Sequence, residues 1–234
     1  MDRLHGAASI RKTYDAELRE LEVRIQTMSA AALDMVQQAI RGLIENDQSL
    51  FEPVINADDE VDFYYLEIER RVVALFALQT PVAGDLRLLT ALLHVNHSLE
   101  RVADMGVNLA KVGNLSAGLP RNEPVLLMIE EMSGIALRML GAAMDSLARR
   151  DLELAMKLPW MDDPLDRLNR SMIRAILPLA NDSRMLEWGM RMHVISRQIE
   201  RMGDQAVDIA EQVVFVITGE FREFTDASHP EAHV

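Results

Sequence analysis

Two eleven-residue segments of this chain set carboxylates four residues apart, and the segments themselves lie one hundred residues apart. The first reads Glu100-Arg101-Val102-Ala103-Asp104-Met105-Gly106-Val107-Asn108-Leu109-Ala110. The second reads Glu200-Arg201-Met202-Gly203-Asp204-Gln205-Ala206-Val207-Asp208-Ile209-Ala210. Glu, Arg, Asp, Val and Ala recur at five of the eleven positions. On a helix, residues four apart share a face, so each segment presents an acidic row. Like charges at this spacing repel one another. A bound cation converts the repulsion into attraction, and bundle proteins build multinuclear sites from inward-facing carboxylates. Glu100, Asp104, Glu200, Asp204 and Asp208 are therefore the candidate metal ligands, with Asn108 a weaker neutral one. The bland alternative is a solvated face, in which Arg197 pairs with Glu200.

The two copies differ. His97, one turn before Glu100, extends the first row, whereas Arg197 stands at the corresponding place in the second. Asn108 answers to Asp208, so the first site carries less negative charge. Small residues (Ala103 and Gly203, Gly106 and Ala206) lie among the acids and permit a close neighbour. Asp58-Asp59-Glu60-Val61-Asp62 and Met161-Asp162-Asp163-Pro164-Leu165-Asp166 are weaker candidates for further ligands, Asp62 and Asp166 among them. Their other reading is a helix cap or a solvated cluster.

The elements that position these residues are helical. The chain has 234 residues, 49% of them hydrophobic and 5% aromatic, with 15 Met. Leu, Ala, Met and Glu are helix formers. Leu18, Leu21, Ile25, Met28, Ala32, Met35, Ala39 and Leu43 recur with a helical period. Turn signals divide the chain into six helices: about 9–46, 49–78, 81–112, 124–148, a fifth interrupted by Pro159 and Pro164, and a sixth to about Thr218. Thr80-Pro81 and Asp182-Ser183 are start signals and Gly219 is a stop. For the fifth, a kink at Pro159 and a restart at Asp163-Pro164 both stand. Residues 113–120 form the linker. Beyond the acidic rows, Asp47 aligns with Asp151, and Asp58 and Asp62 align with Asp162 and Asp166, all offset by 104. The fold expected is all-α: two tandem three-helix bundles related by duplication, at 1–115 and 120–222, with a flexible tail at 223–234.

Composition narrows the function. There is no Cys, which excludes disulfides and thiolate chemistry and suits a reducing compartment. Oxygen and imidazole donors favour Mg, Ca, Mn and Fe. The net charge of −13 argues against nucleic acid and against anionic lipid. There is no membrane-length apolar run and no signal-peptide layout, so the expected location is the cytoplasm. There is no glycine-rich phosphate loop, nucleophile elbow or His-Glu-x-x-His, and the expectation is a protein that is not an enzyme.

Further residues carry a resemblance. Glu100-Arg101-x-x-Asp104 and Glu200-Arg201-Met202-Gly203-Asp204 are similar to the paired signature of the PhoU family, regulators of bacterial phosphate uptake. Gln79-Thr80-Pro81-Val82-Ala83-Gly84-Asp85-Leu86-Arg87 resembles that family's Pro-x-Ala-x-Asp-Leu-Arg segment. His5, Tyr14-Asp15-Ala16-Glu17-Leu18 and Asp182-Ser183-Arg184 are also similar, in the family's order. The resemblance implies metal clusters, of iron or zinc with Mg or Mn as alternatives, on Glu100, Asp104, Glu200, Asp204 and Asp208. It implies a negative regulator of the phosphate-starvation response, an adaptor between the phosphate ABC transporter ATPase and a sensor histidine kinase. A homodimer, peripheral to the membrane only through its partners, is expected. Ala103 departs from the family, where Gly is usual. Two rivals remain: a carboxylate-bridged di-metal enzyme, and a purely structural helical module. The first usually needs Glu-x-x-His pairs on two helices, and here only the reversed His97-x-x-Glu100 occurs.

Overall fold

The computed structural model describes residues 2–79 and 83–224. It contains seven α-helices among those residues and no strand: α1 Asp2–Glu45, α2 Phe51–Gln79, α3 Gly84–Leu115, α4 Glu123–Arg149, α5 Leu152–Ala155, α6 Leu158–Ile176 and α7 Ser183–Thr218. α1, α2 and α3 pack together as one bundle, and α4, α6 and α7 as another. All eight apolar residues of the α1 stripe are buried, Leu21, Ile25, Met28, Ala32 and Ala39 completely.

Boundaries follow from local chemistry. Asp47 and Asp151, one pair of the internal alignment, do the same work in the two halves. Asp47 accepts from the Ser49 N–H at 3.0 Å, and Asp151 accepts from the Leu154 N–H at 2.9 Å. Such caps satisfy amides that a helix start leaves without partners. Asp182 caps α7, accepting from Arg184 N–H at 2.8 Å and Met185 N–H at 3.2 Å. Gly219, at φ 81°, ends it in the left-handed conformation that glycine adopts freely.

Three expectations are revised. α1 begins well before residue 9. α3 runs on to Leu115, so the start of the presumed linker is helical. The fifth helical region neither kinks at Pro159 nor restarts at Asp163. A four-residue α5 precedes α6, which starts at Leu158 with Pro159 in its first turn, where a missing N–H costs nothing. Pro164 lies inside α6, which holds because Leu165, Asn169, Met172 and Ile176 all bury against the bundle. The Thr80-Pro81 start signal and the tail from 225 lie outside the described residues. Residues just before that tail fold back: Phe221 stacks on Phe215 with ring centroids 4.0 Å apart, and Phe224 packs against the core.

The two bundles meet chiefly along α3 and α7, with a lesser contact between α1 and α4, and one hydrophobic core runs through both. The helices that carry the repeated acidic rows thus have two kinds of neighbour. Each faces the second helix of its own bundle and also the matching helix of the other.

Candidate metal centre

In each bundle the acidic row of the last helix meets acids from the middle helix. In the first, Asp58 and Asp62 of α2 lie close enough to Glu100 and Asp104 of α3 for their charges to act on one another. Burial, then Asp104, raises the Glu100 carboxyl above its ordinary value, while His97 opposes. Burial, then Asp62 and Asp104, raises Asp58, and Lys111 pulls it back. In the second bundle, Asp162 and Asp166 of α6 stand beside Glu200 and Asp204 of α7. Burial raises Glu200 first of all, with Arg197 opposing. Asp162 is pushed up to about 7, by burial first and then by Asp166, Asp204 and Glu200. Desolvation and like charge both favour the protonated acid.

The surroundings differ in detail. Arg170 Nη1 is 2.9 Å from Asp166 Oδ2, and Arg197 Nη1 is 3.1 Å from Glu200 Oε1. In the first bundle His97 Nδ1 is 3.7 Å from Glu100 Oε2. One turn before the acids, Asn96 Nδ2 donates to the Tyr65 carbonyl at 3.0 Å, and Ser196 Oγ donates to Asn169 Oδ1 at 3.2 Å. These matched contacts tie α3 to α2 and α7 to α6 beneath the carboxylates.

The third acid of the row does not follow the first two. Each four-residue step turns about 40° past a full circle, so eight residues drift about 80° around the helix. Asp208 consequently faces the other bundle. It lines a cleft of about 230 Å³ between α3 and α7 with His94, His97, Ser98, Arg101, Gln205, Glu211 and Gln212. Gln205 Nε2 donates to Asp208 Oδ2 at 3.1 Å. Asp208 keeps its outer edge in water, yet the cleft walls crowd its carboxyl and raise it, with Arg101 and Gln205 opposing. Asn108 is exposed. His97 serves both regions, lying beside Glu100 and lining the cleft. Glu211, unremarked in the sequence, is pushed up to about 7 by burial, although it accepts the Phe224 N–H at 2.6 Å.

The donor set suits a hard or borderline cation, since it is carboxylate oxygen throughout. One observation favours a cation at the second cluster. Asp162 Oδ1 is buried without a hydrogen-bond partner, the kind of orphaned acceptor that a metal satisfies. Among the described residues, no three His, Asp or Glu side chains already converge as a metal would hold them. A cation bound there would have to draw the carboxylates inward.

A duplicated helical-bundle protein, with a four-carboxylate cluster between the last two helices of each unit, is the class that fold and site define. The chain belongs to the PhoU family: the family model described as the PhoU domain matches residues 25–112 and again 129–213. A phosphate-specific transport system accessory protein PhoU homolog of Rhizobium meliloti is 31% identical over 215 residues, 91% of this chain and 90% of the relative. The phosphate-specific transport system accessory protein PhoU of Escherichia coli K12 is 25% identical, over 94% of this chain and 91% of that protein. The crystal structure of PhoU from Pseudomonas aeruginosa superposes with a TM-score of 0.83 at 26% identity, covering 88% of this chain and all of that one. The phosphate transport system regulatory protein PhoU of Streptococcus pneumoniae shares the fold, with a TM-score of 0.81.

Proposed function

We propose that this protein is an accessory regulator of phosphate uptake that restrains the phosphate-starvation response. It acts as a metal-binding adaptor between the ATPase of a phosphate ABC transporter and a sensor histidine kinase. The observation that carries this reading is the match to phosphate-specific transport accessory proteins over nearly the whole chain, acidic clusters included. In this reading Asp58, Asp62, Glu100 and Asp104 hold one cation site, and Asp162, Asp166, Glu200 and Asp204 hold the other. Asp208 serves the cleft between bundles instead. Iron or zinc is proposed first, with Mn or Mg as alternatives. The cation supplies positive charge that fastens α2 to α3 and α6 to α7.

The protein is an adaptor in this reading, not an enzyme. The cytoplasm is its proposed compartment and a homodimer its proposed assembly. No helix among the described residues is long and apolar enough to cross a membrane. In this reading its contact with the membrane runs through partners. Exposed apolar side chains on α2 (Phe63, Leu66, Val73) and on α7 (Met190, Val194) offer surface to those partners. A di-metal oxidase gains no support, because the cleft places His94 and His97 together on one helix.

Deleting the gene should switch on a phosphate-starvation reporter in phosphate-replete medium. Complementation with the wild type should silence it, and the purified protein should capture the transporter ATPase. A deletion that leaves the reporter silent, with no ATPase capture, contradicts the proposal.

A further inference from the structure

We propose that the cleft between α3 and α7 binds a small zwitterion, an amino acid with a polar side chain, its carboxylate on the α3 wall and its ammonium on the α7 wall. This goes beyond the proposed function and does not depend on the metal reading. His94, His97, Ser98 and Arg101 lie at steps of three and four residues, so one face of α3 forms the first wall. Gln205, Asp208, Glu211 and Gln212 do the same on α7 and form the second. Among the described residues no apolar side chain lines this space of about 230 Å³. The volume is below the roughly 300–1,000 Å³ of a drug-sized pocket, so a fitting ligand is small and polar.

The two walls are opposite in character. On α3, Arg101 brings a guanidinium that acts on Asp208 at a distance but makes no ion pair among the described residues. Ser98 is only 7% exposed, and its hydroxyl has no hydrogen-bond partner among the described residues. His97 leans toward Glu100, with Nδ1 3.7 Å from its carboxylate. On α7, Asp208 Oδ2 accepts from Gln205 Nε2 at 3.1 Å, and Glu211 Oε1 accepts the Phe224 N–H at 2.6 Å. Each carboxylate keeps a second oxygen. Gln212 Oε1 is buried without a hydrogen-bond partner. Donors left over on one wall and acceptors left over on the other call for a ligand that carries both. A carboxylate matches the planar fork of Arg101, and an ammonium brings three donors to the opposite wall. A simple anion would meet two carboxylates, and a metal ion would meet the guanidinium, so each is repelled by one wall.

The test is a thermal-shift screen of tag-free, full-length protein with each standard L-amino acid, followed by isothermal titration of the best. It is run at pH 8, where Glu211, which titrates at about 7, is ionised. The expected result is binding of one or more polar amino acids with a Kd below about 1 mM. Sodium acetate, ammonium chloride and inorganic phosphate should each bind at least about tenfold more weakly. Arg101→Gln and Asp208→Asn should each raise the Kd about tenfold or more, because each removes a charged partner of one end of the ligand. Ser98→Ala should raise it by a smaller factor. Asp104→Asn/Asp204→Asn, which removes carboxylates of the proposed cation sites and none of the cleft, should leave the Kd unchanged. Absence of binding by every amino acid overturns the proposal and leaves the metal reading standing. Binding that survives Arg101→Gln or Asp208→Asn undiminished, or phosphate that binds as tightly as the best amino acid, overturns it equally.

Discussion

Trp188→Ala is expected to destabilise the protein by about 3–5 kcal/mol and to lower Tm by roughly 10 °C. Trp188 lies on α7 of the second bundle, only 1% exposed. It shares a pocket with Gly42, Leu43, Phe51, Gly113 and Arg121, which belong to the first bundle and the connection that follows it. The cavity beside the indole has only about 10 Å³ of water-accessible volume, roughly that of a single water. Phe51 packs closely there against two glycines. A Cβ on Gly113 would come within 2.7 Å of Phe51 Cζ, and one on Gly42 within 2.8 Å of Phe51 Cε1. Arg121 Nη2 donates to the carbonyls of Leu43 and Ile44 at 2.8 Å each, closing the C-terminal end of α1. Removing the indole opens a cavity where the bundles join, and a rigid surround cannot collapse into it. Trp160, the other tryptophan, is 75% exposed, and Trp160→Ala should change stability by less than about 0.5 kcal/mol. Circular-dichroism melts of both variants check the contrast. A Trp188→Ala protein within about 1 kcal/mol of the wild type would refute the view that this residue joins the halves.

The second large effect is one of pH. In metal-stripped protein, stability should fall as pH rises from 5 to 8. Asp162 and Glu211 titrate near 7 in the folded chain, against ordinary values of 3.8 and 4.5. Between those limits the folded state binds more protons than the unfolded one, so the slope of stability with pH is negative. The stabilisation is present in full below about pH 4 and is gone above about 7. Both carboxyls keep some solvent contact, which holds the combined effect to about 2 kcal/mol. Glu20 and Asp47 move the other way, below their ordinary values, so their influence lies at lower pH, outside this window. Asp162→Asn should flatten the slope and stabilise the protein at pH 8. Glu211→Gln should do the same while its amide oxygen still accepts the Phe224 N–H. Thermal melts at half-unit pH steps measure it. A flat or rising profile would contradict the assigned burial.

Much of the fold was legible in the sequence because it is carried by local signals. The α1 stripe reports its own buried face through its period. Asp182-Ser183 reads as a start signal and Asp182 caps α7, and the internal alignment pairs Asp47 with Asp151, both of which cap. The alignment also pointed to Asp58 and Asp162, which proved to stand against the acidic rows. Pro164 misled, because proline marks only a lost N–H, while the burial that keeps α6 intact comes from other helices. Asp208 was grouped with Glu200 and Asp204 by spacing, but spacing of four drifts around a helix, and only the packing of α7 between α6 and α3 decides what each residue faces. The pressure of Asp162 against Gly203 and the burial of Glu211 under Phe224 are tertiary facts with no local signature. Their sole trace in the sequence is a difference between the copies: Ala103 against Gly203, Lys111 against Glu211.

The most direct test of the central claim is metal content, by inductively coupled plasma mass spectrometry, of tag-free wild-type protein beside Asp104→Asn/Asp204→Asn. The account predicts near-stoichiometric or higher metal in the wild type and its loss in the double variant, with helical content unchanged. A folded wild type free of metal, or a double variant that keeps all of it, would contradict the assignment of the duplicated carboxylate clusters as cation sites.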